Sequence, residues 1–423
     1  MELTKPKLSL LNTTALVQYF LLFIFVTVHG SVYWIAVWRD IPVKPAIIFF
    51  IVFFVWSIFK LSIHRFVIIY IFFNIIIHGL DGYIQEKQII TSEALQAVMP
   101  YLVYVFLVWV FYKLNPEKAL TRFMKFVAFL SAFSIVCFTI QTIFGVNSFS
   151  PISHMLSERG LYGFLLYSGA TNDLLRNYGM FGEPGIYQII INTAIFIMLF
   201  WKDRLFFSGT EYKTILTILI ITLITINSTI GFIEFGCLLC GAIFTSSHIM
   251  KKRIISIATV IVVMALADYF FNGDESIIIK NLIDKIVAMD IGNHVDGFDE
   301  NTSGGARLYI LSIVADAFRN NMLWGIGDSG LMNLLSLSAR WQEGGTGNAL
   351  GIYLIRRGII PTLSVIIPIL YRCYKNKRAA VEFWMIILLF FITTLAQSQI
   401  MYASYILIAF GDMCKSTRKL EST

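Results

Sequence analysis

Long apolar runs, broken at intervals by short clusters of Lys, Arg and Asn, dominate this chain. A helix needs about 20 apolar residues to cross a bilayer. Runs of that kind, some a little shorter, cover 15–37, 45–59, 66–80, 94–112, 123–144, 184–201, 213–227, 230–248, 254–271, 347–371, 381–397 and 400–412. The pattern predicts an all-α polytopic membrane protein of about 12 transmembrane helices, with residues 1–423 forming a single integral membrane domain. No internal repeat is visible, which argues against the inverted halves of many secondary transporters.

Two segments between runs, 145–183 and 272–346, are longer than a connection requires, and loops of that length usually have a task. Twelve spans place both termini on one side, and basic residues select which. The clusters at 113–125, 251–253 and 372–378 share a side with both terminal segments, whereas Asp81, Glu86, Asp274, Asp299 and Glu300 fall opposite. Both termini are therefore expected in the cytoplasm and both large loops outside.

Composition sharpens this reading. The chain is 57% hydrophobic and only 14% charged, below the charged fraction of ordinary soluble domains. The net charge of +7 would suggest nucleic acid in a soluble protein, but here it belongs to cytoplasmic loops, so membrane lipids and not nucleic acid are the expected partners. The five cysteines lie in or beside apolar runs and predict no disulfide; Cys237 and Cys240 are read as packing residues. The first run is of span length and lacks an A-x-A site, so it is expected to remain as a helix.

Charges that break the pattern carry the chemistry. In LRNYGMFGEPGIYQ, residues 175–188, Arg176 stands in an outer segment where arginine is unexpected. Pro184 suits the first residue of a helix, and the glycines between 179 and 185 let the backbone turn tightly and approach a ligand. The exposed N–H groups and dipole of that helix favour an anion. Tyr178, in the same turn, joins the substrate-binding candidates. Glu183 has two readings, a charge that stabilises the helix start or a general base at the lip of an outward cavity.

Arg307, in SGGARLYILSIVADAFRNN, falls on the apolar arc of its predicted helix, where it opposes the dipole unless an anion is bound. Arg356 and Arg357 lie about ten residues into the run from Thr346, where each charge costs ~2.5–3.5 kcal/mol on the insertion scale. Either that helix is pushed outward until the pair meets water, or one arginine lines a polar cavity and meets an anion; the second reading is preferred. Glu234, just inside the outer end of its span, is a partner for these arginines or a second base. His294 and His154 are lone loop histidines, with His294 the third base candidate. No H-E-x-x-H, P-loop or G-x-S-x-G is present, and neither a metal nor a cofactor is expected.

Outward arginines and helix N-termini suit a multiply charged anion, and a lipid-linked diphosphate is the natural candidate. Once neutralised, the diphosphate is a good leaving group, so the protein mainly needs a base for an acceptor hydroxyl.

RNYGMFGEPG at 176–185, then GGARLY with a helix leading to NNMLWGIG at 320–327, then GNALGIYLIRRGII at 347–360, together resemble the bacterial O-antigen polymerase (Wzy) and O-antigen ligase superfamily. The resemblance implies a GT-C-like fold in the bacterial inner membrane, with two large periplasmic loops and a periplasmic active site. It also implies metal-independent, inverting glycosyl transfer between undecaprenyl-diphosphate-linked oligosaccharides as donor and acceptor, with a Wzz-type chain-length regulator as partner. By motif match, diphosphate handling falls on Arg176 and Arg307. Glu183-Pro184 looks like the polymerase form, where ligases more often have Asn-Pro. Gly347 precedes Asn348, a further substrate-binding candidate, where ligases tend to carry His. A ligase transferring glycan to lipid A core is the alternative, and a lipid-linked oligosaccharide transporter the remote one.

Overall fold

A computed structural model describes residues 10–28, 55, 63–90, 92–145, 148–151, 161–170, 176–245, 321–335, 349–377, 379–397 and 399–413. In chain order the helices begin with α1 (Leu10–Val28), α2 (Arg65–Glu86), α3 (Glu93–Leu114) and α4 (Ala119–Phe144). Strands β1 (Ser150–Pro151), β2 (Leu161–Phe164) and β3 (Tyr167–Ala170) follow. Then come α5 (Pro184–Phe200), α6 (Gly209–Ile226), α7 (Thr229–Thr245), α8 (Gly327–Leu335), α9 (Ala349–Arg357), α10 (Ile359–Asn376), α11 (Ala380–Ala396) and α12 (Ala403–Ala409). The expected runs 254–271 and, apart from Val55, 45–59 lie outside the described residues.

Among the described residues, α2, α3, α4 and α6 are long and apolar enough to cross a membrane, and Thr14–Val26, Pro184–Phe200, Thr229–Phe244 and Ala380–Leu395 form shorter apolar helices. The side chains of α2 show which solvent it meets. Ile69, Phe72, Phe73 and Ile76, spaced along one face, are exposed, while Asn74, His78 and Asp81 are buried. Apolar outside and polar inside inverts the soluble pattern and suits a helix solvated by lipid. The chain is a multi-pass membrane protein.

Three expectations need correction. The run 347–371 is not one helix: Gly358, at φ 78°, separates α9 from α10. A residue there leaves helical backbone, and glycine does so without a Cβ clash. The all-α expectation also fails locally, because Ser150–Pro151, Leu161–Phe164 and Tyr167–Ala170 form a three-stranded antiparallel sheet of order β1-β2-β3. Its hairpin pairs Leu161 with Ala170 and Phe164 with Tyr167. The sequence LYGFLLYSGA lacks clean alternation and reads as loop; packing of Phe149 and Tyr167 on Cys137 of α4 decides otherwise. Tyr167 is fully buried, donates to Gln141 Oε1 at 2.9 Å, and burial holds its phenol well above the ordinary range. Finally, the run 400–412 yields only the seven-residue α12 and a short 3-10 turn, too short to span.

The chain divides into two compact units. The first comprises 1–41, 104–226 and 406–423, and its described helices pack α6 against α4 and α5, with α1 on α4. Ser208 and Glu211 form a capping box at the start of α6, Ser208 Oγ accepting from Glu211 N–H at 3.2 Å and Glu211 Oε2 from Ser208 N–H at 2.9 Å. Between α5 and α6 the guanidinium of Arg204 stacks on Trp201, 4.2 Å from the ring centroid, and donates to Gly411 O at 2.9 Å. The second unit comprises 42–103 and 227–405, in which α7 packs on α11, α2 on α10, and α9 on α8, α10 and α11.

Candidate functional site

In the first unit, the turn that carries Arg176 is fastened through Asn177. Its Nδ2 donates to Ser134 Oγ at 3.1 Å and Thr225 Oγ1 at 3.0 Å, its Oδ1 accepts from Gly179 N–H at 2.9 Å, and its backbone N–H donates to Thr225 O at 2.9 Å. One buried side chain thus ties the turn to α4 and to the end of α6. Gly179 sits at φ 56°, and a Cβ there would lie 2.7 Å from the ring of Tyr187, whose hydroxyl meets Ser134 Oγ at 2.9 Å. Tyr178 is buried, and Arg176 is half-buried with Nε donating to Ile226 O at 3.4 Å.

Pro184 opens α5, as the sequence predicts, with Glu183 as an extended N-cap at φ −143°. The Glu183 side chain is exposed and makes no capping hydrogen bond, so the helix start does not engage it. Glu234 differs: fully buried in the second unit, it accepts from Thr393 Oγ1 at 2.7 Å, and Thr393 meets Tyr405 OH at 2.6 Å. Arg307, Asn348, His154 and His294 lie outside the described residues.

The most charged place among the described residues is in the second unit. Here 322–326 and 355–360 cross backbone to backbone: Ile326 N–H donates to Ile355 O at 2.9 Å, and Ile359 N–H to Met322 O at 3.0 Å. A Cβ on Gly325 would lie 2.6 Å from the backbone of Arg356 and Gly358, so only glycine admits this approach. The crossing brings Asp328, in the first turn of α8, to the two arginines in the last turn of α9. Asp328 Oδ1 pairs with Arg356 and Oδ2 with Arg357. Arg357 is 0% exposed, and its Nη1 also lies 3.6 Å from Asp81 Oδ2 and 3.9 Å from Glu86 Oε1.

The burden of two arginines deep in an apolar run is thus met by carboxylates of the chain itself. Arg356 Nε and Arg357 Nε and Nη1 have no hydrogen-bond partner among the described residues. Neighbouring polar groups fix the frame. Gln85 Nε2 donates to Asp81 Oδ1 at 2.7 Å and to Trp324 O. His78 Nδ1 donates to Asn74 O at 3.1 Å, which leaves Nε2 facing Tyr353 OH at 3.0 Å.

The link from α2 to α3 completes the site. Glu86 Oε1 and Oε2 accept from Glu93 N–H at 3.1 and 3.0 Å, and Ser92 Oγ accepts from Leu95 N–H at 3.2 Å, so both cap α3. Beside them opens a cavity of about 330 Å³, whose lining includes Gln85, Glu86, Glu93, Asn321, Asp328 and Ser329. Carboxylate oxygens of Glu86, Glu93 and Asp328 lie within 4.8 Å of one another. Chemically, the set can accept hydrogen bonds from hydroxyls, take up a proton or hold a cation. Sequence reasoning missed it because the acids are far apart in the chain. The only signal was that Glu86, Glu93 and Asp328 all lie in or beside segments assigned to the outer side.

A polytopic membrane protein with a polar, carboxylate-lined cavity among apolar helices is the class that fold and site define. Residues 214–353 match the family described as O-antigen ligase, a stretch that runs from α6 through most of α9. The match covers about a third of the chain and supports its resemblance to the O-antigen polymerase/ligase superfamily. No curated protein matches the chain.

Proposed function

We propose that the protein is an O-antigen polymerase, joining undecaprenyl-diphosphate-linked oligosaccharide repeat units at the periplasmic face of the bacterial inner membrane. The observation that carries the choice over ligase is the pair Glu183-Pro184, with Glu183 exposed before α5 where ligases more often have Asn, together with Gly347 in place of their His. In this reading Arg176 and Arg307 neutralise the diphosphate, and Arg356, Arg357, Asn348, Glu234 and Tyr178 shape the substrate path. The unfilled donors of Arg356 and Arg357 favour an anionic ligand nearby. The transfer is inverting and metal-independent. A carboxylate takes the acceptor proton, and a Wzz-type partner sets chain length.

The test is the size distribution of membrane glycolipids with and without the gene. A core bearing a single repeat unit upon deletion is the expected result. Long lipid-linked chains left unattached to the core would make the protein a ligase, and single units trapped on the cytoplasmic leaflet would make it a transporter. Arg176→Ala and Arg307→Ala, each folded and inserted, are expected to abolish polymer; near-normal polymer from both overturns the diphosphate assignment.

A further inference from the structure

The cavity at the α2–α3 link holds three carboxylates, and two of them are engaged. Asp328 bridges Arg356 and Arg357. Glu86 receives the N–H of Glu93 on both oxygens and faces Arg357. Glu93 is exposed, and its carboxylate makes no direct hydrogen bond or salt bridge among the described residues, although it interacts electrostatically with Arg356 and Arg357. It stands in the first turn of α3, on a rigid helix whose start is capped by Glu86 and Ser92.

The rest of the lining suits a polyol. Asn321, Ser329 and Gln85 offer amide and hydroxyl groups, and the buried Gln85 Oε1 accepts no hydrogen bond among the described residues. The volume sits at the small end for ligand pockets, enough for a sugar unit and not for a long glycan. A cation fits less well, since it would compete with two guanidinium groups for Asp328 and with a helix N-terminus for Glu86. The charge distribution assigns both 81–93 and 272–346 to the outer side, where a lipid-linked acceptor is presented.

We infer that this cavity binds the acceptor sugar and that Glu93 is the general base of glycosyl transfer, an inference that rests on the glycan-transfer reading above. Glu93 takes the proton from an acceptor hydroxyl. The freed oxygen bonds to the anomeric carbon of the donor, and the bond from that carbon to the diphosphate oxygen breaks, releasing polyprenyl diphosphate. Proton, electron pair and leaving group balance without a further reactant. Glu86 and Asp328 are positioning residues, one holding α3 and the other the two arginines.

The experiment uses the full-length protein in lipid vesicles with purified lipid-linked repeat units, following the rate of polymer formation. Glu93→Gln is expected to lower kcat by roughly 10²–10⁴-fold with little change in donor KM. Glu93→Asp restores part of the rate, which shows that the site is folded. Asn321→Ala and Ser329→Ala raise the acceptor KM with smaller effects on kcat. Glu93→Gln within about threefold of wild type, with Glu183→Gln inactive, overturns the inference. So does loss of wild-type activity to EDTA with rescue by a divalent metal, which would assign the carboxylates to a cation. Wild-type protein that makes no polymer but glycosylates lipid A core defeats the polymerase reading alone, and Glu93→Gln is then scored on that transfer by the same criteria.

Discussion

The Asn177 turn and the Gly325–Gly358 crossing solve the same problem in different ways. Each holds irregular backbone against apolar helices, and each uses glycine at positive φ, 56° at Gly179 and 70° and 78° at Gly325 and Gly358. The first is held by neutral groups, one amide side chain joined to hydroxyls and backbone of α4 and α6. The second is held by ions, with Asp328 shared between Arg356 and the fully buried Arg357. A neutral network loses one bond at a time. A buried ionic network that loses one partner leaves a charge without compensation.

Breaking the ionic side should therefore have the largest effect. Asp328→Ala strands both arginines and is expected to destabilise by about 3–5 kcal/mol, seen as a large drop in the thermal midpoint of purified protein in detergent. A loss below about 1 kcal/mol would mean that Asp81 and Glu86 carry Arg357 alone. Gly358→Ala comes next. Its new Cβ runs into the backbone of Leu323 and Gly325, so a loss of roughly 2–4 kcal/mol is expected, well beyond the ordinary helix-propensity scale.

On the neutral side, Asn177→Ala removes three side-chain hydrogen bonds and leaves Gly179 N–H unfilled, for about 1–3 kcal/mol. Hydrogen exchange at 177–181 would report that loosening directly. The smallest effect is expected at the exposed pair Lys125–Glu211, 3.2 Å apart and nearly half exposed on both sides, where Lys125→Ala should leave the thermal midpoint unchanged within error. A clear drop there would show that surface ion pairs matter in this protein and would weaken the contrast.

The helices were legible because hydrophobic run length measures the bilayer. α2 through α6 fall on expected runs with ends shifted by several residues, and Pro184 was recognisable as a helix start because its missing N–H is harmless there. The break at Gly358 was less legible, since one glycine in an apolar run does not by itself end a helix. Its meaning comes from Leu323 and Gly325 pressing against it. The sheet of β1, β2 and β3 was hidden for a similar reason, because strands held by an aromatic cluster on α4 need no alternation of their own.

By itself, the sequence determined that the chain carries apolar runs suited to a membrane and that its arginines need counter-charge. These follow from transfer free energies and local backbone preferences, properties of short stretches. Only the tertiary structure decided that the closest counter-charge for Arg356 and Arg357 is Asp328, that Asp81, Glu86 and Glu93 gather beside it, and that Glu93 is the cavity carboxylate without a direct hydrogen bond or salt bridge. Pairings between residues hundreds of positions apart depend on which backbones cross. Here a crossing that only glycines admit fixes them.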